Sequence, residues 1–375
     1  MPSLRWSWAA LLLGAALGAD ERRDRLAQTI APLLAKPPCE GLLIYEVLPG
    51  LQAEKAGLQI GDILTHYDGK AVRTVGQLQG LARTAATENR GNLLVMARRG
   101  ADAQETTLDA APMGLRFVAV HPSDGRKLWR PGTPYAPNWE PLRKQAAARL
   151  TYGFLVFGDQ PIGWSRSCLL SLGNNRYALR SQSSSRNGSN ADLRDTTVVF
   201  DADRPTLRPL SVRTTVNNKP VLNVELKGGA LRGQRFGIPD SAPLPEDALV
   251  AELAALAAAA MPRAKDACLR CSYLPSGALS AAPFADLCCL GPDKLDYGKR
   301  TVACFRYDQT EFGRSMVHLW LDADGNLLKA RFGGGSDYAR ASSKEIGSQF
   351  PNAANEFPPI EQLPAMPGAA PIVAN

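Results

Sequence analysis

Residues 41–70 read GLLIYEVLPGLQAEKAGLQIGDILTHYDGK, and the order of residue types along them decides how the amino-terminal part of the chain folds. Leu42-Leu43-Ile44-Tyr45 with Val47 has the composition of a strand, and Pro49-Gly50 stops it. Ala53 to Ala56 supplies one helical turn that Gly57 ends, and Ile60, Ile63 and Leu64 open the next strand. The stretch predicts strand, turn, short helix, turn, strand, turn.

This order resembles the bacterial PDZ pattern G-hydrophobic-V-x-x-V-x-P-G-x-x-A-x-x-A-G-L-x-x-G-D-hydrophobic-hydrophobic, matched through Ala53, Ala56, Gly57, Leu58, Gly61 and Asp62. The resemblance spans residues 40–117 and implies recognition of a peptide by strand addition, with main-chain bonds giving affinity and a pocket giving specificity. Most members of the family carry a further strand before the Gly41-type strand. It opens with a Gly-Leu-Gly-Phe-like loop whose N–H groups hold a peptide's terminal carboxylate. No such loop precedes Gly41; Met113-Gly114-Leu115-Arg116-Phe117 comes instead after the last predicted strand. Two readings stay open: a permuted domain in which Gly114 to Val120 supplies the groove strand, or an exit strand beside an incomplete groove. The candidate peptide-binding residues are Gly114, Leu115 and Phe117, with Val75 and Leu78 from the helix predicted over residues 75–86. The subclass selecting Ser or Thr near the ligand's end opens this helix with His; Thr74-Val75-Gly76 stands here, which implies apolar preference.

Compartment follows from residues 1–18. Arg5, the apolar run Trp6 to Leu17, and small Ala16 and Gly18 read as a secretory signal peptide. The run falls short of the ~20 residues that span a bilayer, and the first cysteine after it, Cys39, lies too far on for an amino-terminal lipid anchor. The expected protein is periplasmic or secreted, reaching a membrane at its surface at most. The partner expected is an envelope or exported protein, engaged through a peptide. Lys and Arg (43) exceed Asp and Glu (36), a +7 balance common in exported proteins and compatible with an acidic partner. With 45% hydrophobic and 21% charged residues, global disorder is excluded.

The remaining organisation is read in order. Residues 19–38 form a helical lead-in, with Leu26, Ile30, Leu33 and Leu34 on one face and Pro32 kinking or ending it. The PDZ-like domain occupies residues 39–120, and a Pro-rich linker, residues 121–141, carries Trp129, Tyr135 and Trp139, which are expected to dock it onto a neighbouring domain. Residues 142–349 are β-rich. Strands are predicted at 152–157, 163–171, 177–183, 196–200, 210–215, 221–226, 301–307, 315–321 and 327–332, with Asp322 to Asn326 as a hairpin turn. A helix over residues 245–261 presents Leu249, Val250, Leu253 and Leu256 to the sheet. FLVFGDQPIGWSRSCLLSL from Phe154 and CFRYDQTEFGRSMVHLWL from Cys304 align as strand, Asp-Gln turn, Gly-x-Ser, strand, which hints at a duplicated half. The expected fold class is mainly β with a few helices (α+β): a PDZ-like domain, then an antiparallel curved sheet or partial barrel with a covering helix. That arrangement is similar to periplasmic lipoprotein carriers, which hold acyl chains on a concave apolar face. Residues 350–375, with six prolines, read as a disordered tail.

Seven cysteines in an exported chain predict disulfides. Cys268, Cys271, Cys288 and Cys289 are expected to form two bridges pinning a loop, because adjacent Cys288 and Cys289 present poorly to one tetrahedral zinc. Cys168 and Cys304 form a candidate pair across the sheet, which leaves Cys39. No metal or other cofactor is expected. Catalytic signatures are missing: there is no His-Glu-x-x-His, and Gly163-Trp164-Ser165-Arg166-Ser167 lacks the final Gly of a serine elbow. His66, His121 and His318 are the three histidines open to a triad. Arg204 to Arg235 holds seven cations against Glu225, read as a solvated face, and no aromatic or groove-reading element beside them calls for nucleic acid. The sequence therefore favours binding over catalysis. The alternatives are a carrier holding a lipid-like ligand in the β-rich domain, and a hydrolase of unrecognised site.

Overall fold

The computed structural model describes residues 19–109, 113–128, 135, 137–148, 150–158, 160–187, 190–202, 206–279, 281–297, 300–333, 336–357 and 360. The signal-peptide segment and Trp129 lie outside them. The chain divides into two compact units, Met1–Leu128 and Trp129–Asn375.

The first unit opens with α1 (Ala19–Ala35), which runs through Pro32 instead of ending there. Pro32 is exposed and one turn from the helix end, so its ring costs little; its carbonyl still accepts from Lys36 N at 2.9 Å. Buried Ala27, Ile30 and Leu34 seat the helix. Then come β1 (Gly41–Val47), α2 (Gln52–Lys55), β2 (Ile63–Tyr67), β3 (Lys70–Ala71), α3 (Val75–Thr87), β4 (Leu93–Arg99), β5 (Asp102–Leu108) and β6 (Leu115–Val120). The sheet runs β5-β4-β2-β1-β6, with β3 on β2. Leu42, Ile44, Leu64, Tyr67, Leu78 and Val95 form its core. Gly41 is required by close approach: a Cβ there would sit 2.6 Å from the Leu64 carbonyl oxygen. Gly57 and Gly61 take φ of +79° and +97°, which L side chains resist.

The second unit contains α4 (Glu140–Ala148), β7 (Leu150–Phe157), β8 (Gln160–Gly173), β9 (Arg176–Asn187), β10 (Asn190–Asp201), β11 (Pro209–Val216), β12 (Lys219–Lys227), β13 (Ala230–Arg235) and β14 (Ile238–Pro243). It continues with β15 (Ala248–Val250), α5 (Ala254–Ala260), β16 (Cys268–Leu274), β17 (Ala282–Tyr297), β18 (Arg300–Glu311), β19 (Arg314–Leu321), β20 (Leu327–Phe332), β21 (Ser336–Ala341) and α6 (Ser343–Gln349). All these strands join one sheet that does not close into a barrel, ordered β14 to β7 consecutively, then β21 back to β15. The sheet joins the two runs through the pairing of β7 with β21, from Tyr152↔Ala341 to Phe157↔Ser336. Pairing is antiparallel except for β15 with β16.

Register assigns the two faces. The inner face carries Leu169↔Leu179, Leu179↔Val198 and Tyr177↔Phe200 and belongs to the main core, with Leu249, Leu253 and Leu256. Half-buried Tyr135 and Trp139 from the Pro-rich segment pack against this core. The outer face carries Phe154↔Trp164, over which Ile346, Ala353 and Phe357 pack.

Several readings change. The helix expected over 245–261 is β15, a 3-10 turn (Ala251–Leu253) and a short α5. Its apolar residues are buried all round, so a helical stripe and a buried parallel strand look alike in sequence. The supposed Cys-rich loop is the β16–β17 hairpin, closed by a Cys268–Cys288 disulfide between directly opposed residues. No second bridge joins Cys271 to Cys289: both lie on the inner face, but the Leu269↔Leu287 pair stands between them. Nor are Cys168 and Cys304 joined; the Cys304 thiol donates to the Asp293 carbonyl at 3.5 Å. Asp308-Gln309 lies inside β18, and the turn comes later, at Phe312-Gly313. Residues 350–357 and Ile360 are packed, not disordered: Trp164 Nε1 donates to Glu356 at 3.0 Å and Arg180 to the Ile360 carbonyl at 3.4 Å. The rest of the expected tail, from residue 361, lies outside the described residues.

Candidate functional site

The outer strand of the first sheet is β6, antiparallel to β1 with Leu42↔Ala119, Ile44↔Phe117 and Val47↔Leu115 in register. Leu115, Phe117 and Ala119 alternate onto the side of the sheet that also receives α3, and with Val75, Leu81 and Ala82 they remain half-buried against the core. Helix α3 starts from a capping box in which Thr74 Oγ1 accepts from Gln77 N at 3.1 Å and Gln77 Oε1 accepts from Thr74 N at 3.1 Å. Leu78, at 1% exposure, belongs to the core and offers a ligand no surface.

Ahead of β6, the carbonyls of Met113 and Gly114 turn inward, accepting from Ala53 N at 3.1 Å and Leu48 N at 2.7 Å. Gly114 has φ of +74°, and a Cβ there would lie 2.5 Å from the Cβ of Leu51. The loop's conformation thus depends on glycine for both reasons. Asp62 is buried and grips Arg99 with both oxygens, each at 2.8 Å, while Arg99 also donates to the Gly57 carbonyl at 2.9 Å. Asp62 also accepts from Gln59 N at 2.9 Å, so the Gly-Asp motif anchors the turn before β2.

A family model described as a PDZ domain matches residues 43–90. Residues 43–90 are a PDZ domain. A curated relative from Marinomonas sp. (strain MWYL1), named "Probable periplasmic serine endoprotease DegP-like", is 31% identical over 88 residues, 24% of this chain and 19% of the relative. The chain thus spans about a fifth of that relative's length. Among solved structures, a Bacteroides fragilis protein described as exported, with a YmcC-like fold, is 8% identical, covers 51% of this chain and 93% of its own, and has a TM-score of 0.18, too low to bear on the fold.

Outside the PDZ domain, one grouping brings a serine, an aspartate and a histidine together. On the outer face of β18 and β19, Asp308 Oδ1 accepts from Ser315 Oγ at 2.5 Å and faces His318 Nδ1 at 3.2 Å. The carboxylate stands between serine and imidazole, so His318 is not placed to take the serine proton as a triad base must. His66 Nδ1 lies 3.1 Å from Thr65 Oγ1, and His121 Nδ1 2.7 Å from Ser123 Oγ, both local contacts. Ser165 lies mid-strand on β8, without an elbow.

Among the described residues, no three His, Cys, Asp or Glu side chains group to hold a metal ion, and no helix is long and apolar enough to cross a membrane. Asp322 closes its own turn, accepting from the Asp324 and Asn326 amides at 2.9 and 2.8 Å. Cys39 carries no disulfide; burial raises its thiol pKa, and Arg98 offsets part of that rise.

Proposed function

We propose that the chain is an exported adaptor whose PDZ domain reads an extended or carboxy-terminal peptide of an envelope protein. The observation carrying this reading is the outer position of β6 beside α3. A ligand strand would pair with the free edge of β6, its alternate side chains entering the apolar trough of Val75, Leu81, Leu115 and Phe117. Backbone N–H groups of the Gly114 loop would take the terminal carboxylate, and the trough would favour apolar residues. The periplasmic naming of the DegP-like relative and the Cys268–Cys288 disulfide support an oxidising compartment.

The test is binding of the mature protein to a library of carboxy-terminal peptides, comparing wild type with Val75→Glu. Gly114→Asp is a poorer probe, because any Cβ there collides with Leu51 whether or not a ligand is present. Micromolar binding of apolar-ended peptides, lost in Val75→Glu and weakened when the peptide is amidated, is expected. Binding indifferent to both changes would refute the groove.

A further inference from the structure

We infer that one end of the second unit's sheet is a docking edge for a bilayer surface that carries anionic phospholipid. Among the described residues, the two most exposed large apolar side chains are Phe236 and Ile238, at 67% and 68% exposure, on either side of the Gly237 that turns β13 into β14. Strand pairing from β14 back to β7 puts that turn at the same end of the sheet as Phe157, the last residue of β7. Across the seam Ser336 stands opposite Phe157, and Phe332 and Met316 lie at the same end of β20 and β19. These five are all the large apolar side chains exposed among the described residues of this unit, and the opposite end of the sheet carries none of them.

The β13–β14 turn shows that Phe236 does not serve the fold. Arg235 pairs with Ile238, which leaves Phe236-Gly237 as a two-residue loop with φ of +53° and +77°. Such a loop favours Asn-Gly or Gly-Gly, because a bulky L side chain resists positive φ. Neighbouring two-residue loops follow that preference, with Asn174-Asn175, Asn217-Asn218 and Gly228-Gly229. Phe312-Gly313 departs from it too, but there the ring is 2% exposed and packs edge-on against Phe284 at 5.7 Å, which offsets the strain. Phe236 has the strain without the burial. A bulky ring kept in that state points to a surface that covers it.

Basic side chains border the apolar tips. Arg235 precedes Phe236, Lys219 opens the neighbouring hairpin, Arg331 precedes Phe332 and Arg314 follows Gly313, and all four are exposed. The acids at this end are engaged or sheltered. Asp240 is held by Arg235 at 3.0 Å, Asp337 by Lys329 and Arg331 at 3.2 and 3.5 Å, Asp192 accepts from Asn217, and Glu311 is half-buried. Apolar and aromatic tips with flanking cations suit an anionic headgroup layer, the rings at the interface and the cations on the phosphates. The tips are also spread out: seven strand steps separate β14 from β7, about 34 Å along the sheet. A protein partner is held by a contiguous packed patch, whereas a fluid bilayer takes each tip separately.

The test floats the mature protein, which lacks the apolar run Trp6 to Leu17, with vesicles of phosphatidylcholine and phosphatidylglycerol in equal parts, and with phosphatidylcholine alone. Partition onto the mixed vesicles is expected to be at least about tenfold stronger at low salt, and to fall as salt rises. Phe236→Asn together with Ile238→Ser should lower it about tenfold. Phe236→Asn alone should melt no lower than wild type, since Asn suits the turn. Lys219→Glu with Arg314→Glu should weaken partition onto the mixed vesicles and leave phosphatidylcholine unchanged. Phe332 is kept in place because it also lines a cavity of about 520 Å3 between β7 to β9, β18 to β21 and the chain leading into α5, together with Gln309 and Glu252. No partition onto the mixed vesicles, partition indifferent to phosphatidylglycerol, or full partition in the folded double variant at Phe236 and Ile238 would each overturn the assignment. A melting transition lowered by Phe236→Asn would assign the ring to the fold and overturn it as well. So would a dimer in sedimentation that the double variant dissolves, because the tips would then be a contact between copies of the chain.

Discussion

In the PDZ domain the candidate surface is main chain, an outer strand with one row of its peptide groups turned away from the sheet; in the second unit it is side chain, an apolar cavity with polar groups in its lining. An edge strand accepts many sequences because its hydrogen bonds ignore side chains, and its trough only grades them. A cavity discriminates by matching, since a ligand that leaves a buried polar atom of the lining unpaired loses affinity. The two units would fail differently under substitution, and separate thermal transitions would let each be damaged alone.

The largest expected effect is in the second unit. Trp164→Ala removes a ring 1% exposed that stacks edge-on against Phe357 at 5.7 Å and bonds Glu356, and should cost about 3–5 kcal/mol. Calorimetry should show the second unit's transition falling, with residues 350–357 opened to proteolysis and the PDZ transition unmoved. Replacing Cys268 and Cys288 together by Ala should cost about 3 kcal/mol, given 20 residues of separation; denaturant melts would show it, again in the second unit alone. Arg99→Met should cost about 2 kcal/mol in the PDZ domain only, by leaving buried Asp62 without its bidentate partner. Equal loss in both units would dissolve the comparison.

The smallest effect is pH-linked. Burial raises the carboxyl pKa of Glu311 above its ordinary value. The native state thus holds its proton more tightly than the unfolded chain, so the contribution is full below the unfolded pKa and lost as pH rises through the folded one. Glu311→Gln should therefore melt slightly above wild type at pH 7 and level with it near ~4.

The PDZ domain was legible because its glycines are imposed by backbone: Gly41 by contact with Leu64, Gly57 and Gly61 by positive φ. Such constraints leave the same letters wherever the fold recurs. Many strands of the second unit were legible from alternation, but β13 to β17 and β21 were not, being short, polar, buried on all sides or interrupted by cysteines. Gln309 was missed because Asp-Gln looked like a turn; it faces inward only because β18 continues to Glu311. Glu252 was hidden in a stretch read as one helix. Nothing local signals that two residues 57 positions apart will meet one cavity. The packed segment after Phe350 was hidden by its prolines, which disguise the aromatic residues that fix it.

The seam between β7 and β21 has a consequence for how the chain is made. Tyr338 Oη donates to the Tyr152 carbonyl across 186 positions. Strands β8 to β14 can fold as successive hairpins when they emerge, but β7 waits for its second neighbour. At ribosomal rates of about 5–20 residues per second, the delay is roughly 10–40 s. Throughout it, LTYGFLVF presents an apolar, uncharged edge of the kind that recruits other nascent chains. A holding chaperone that shields this single strand would therefore raise the yield of the second unit and leave that of the PDZ domain unchanged.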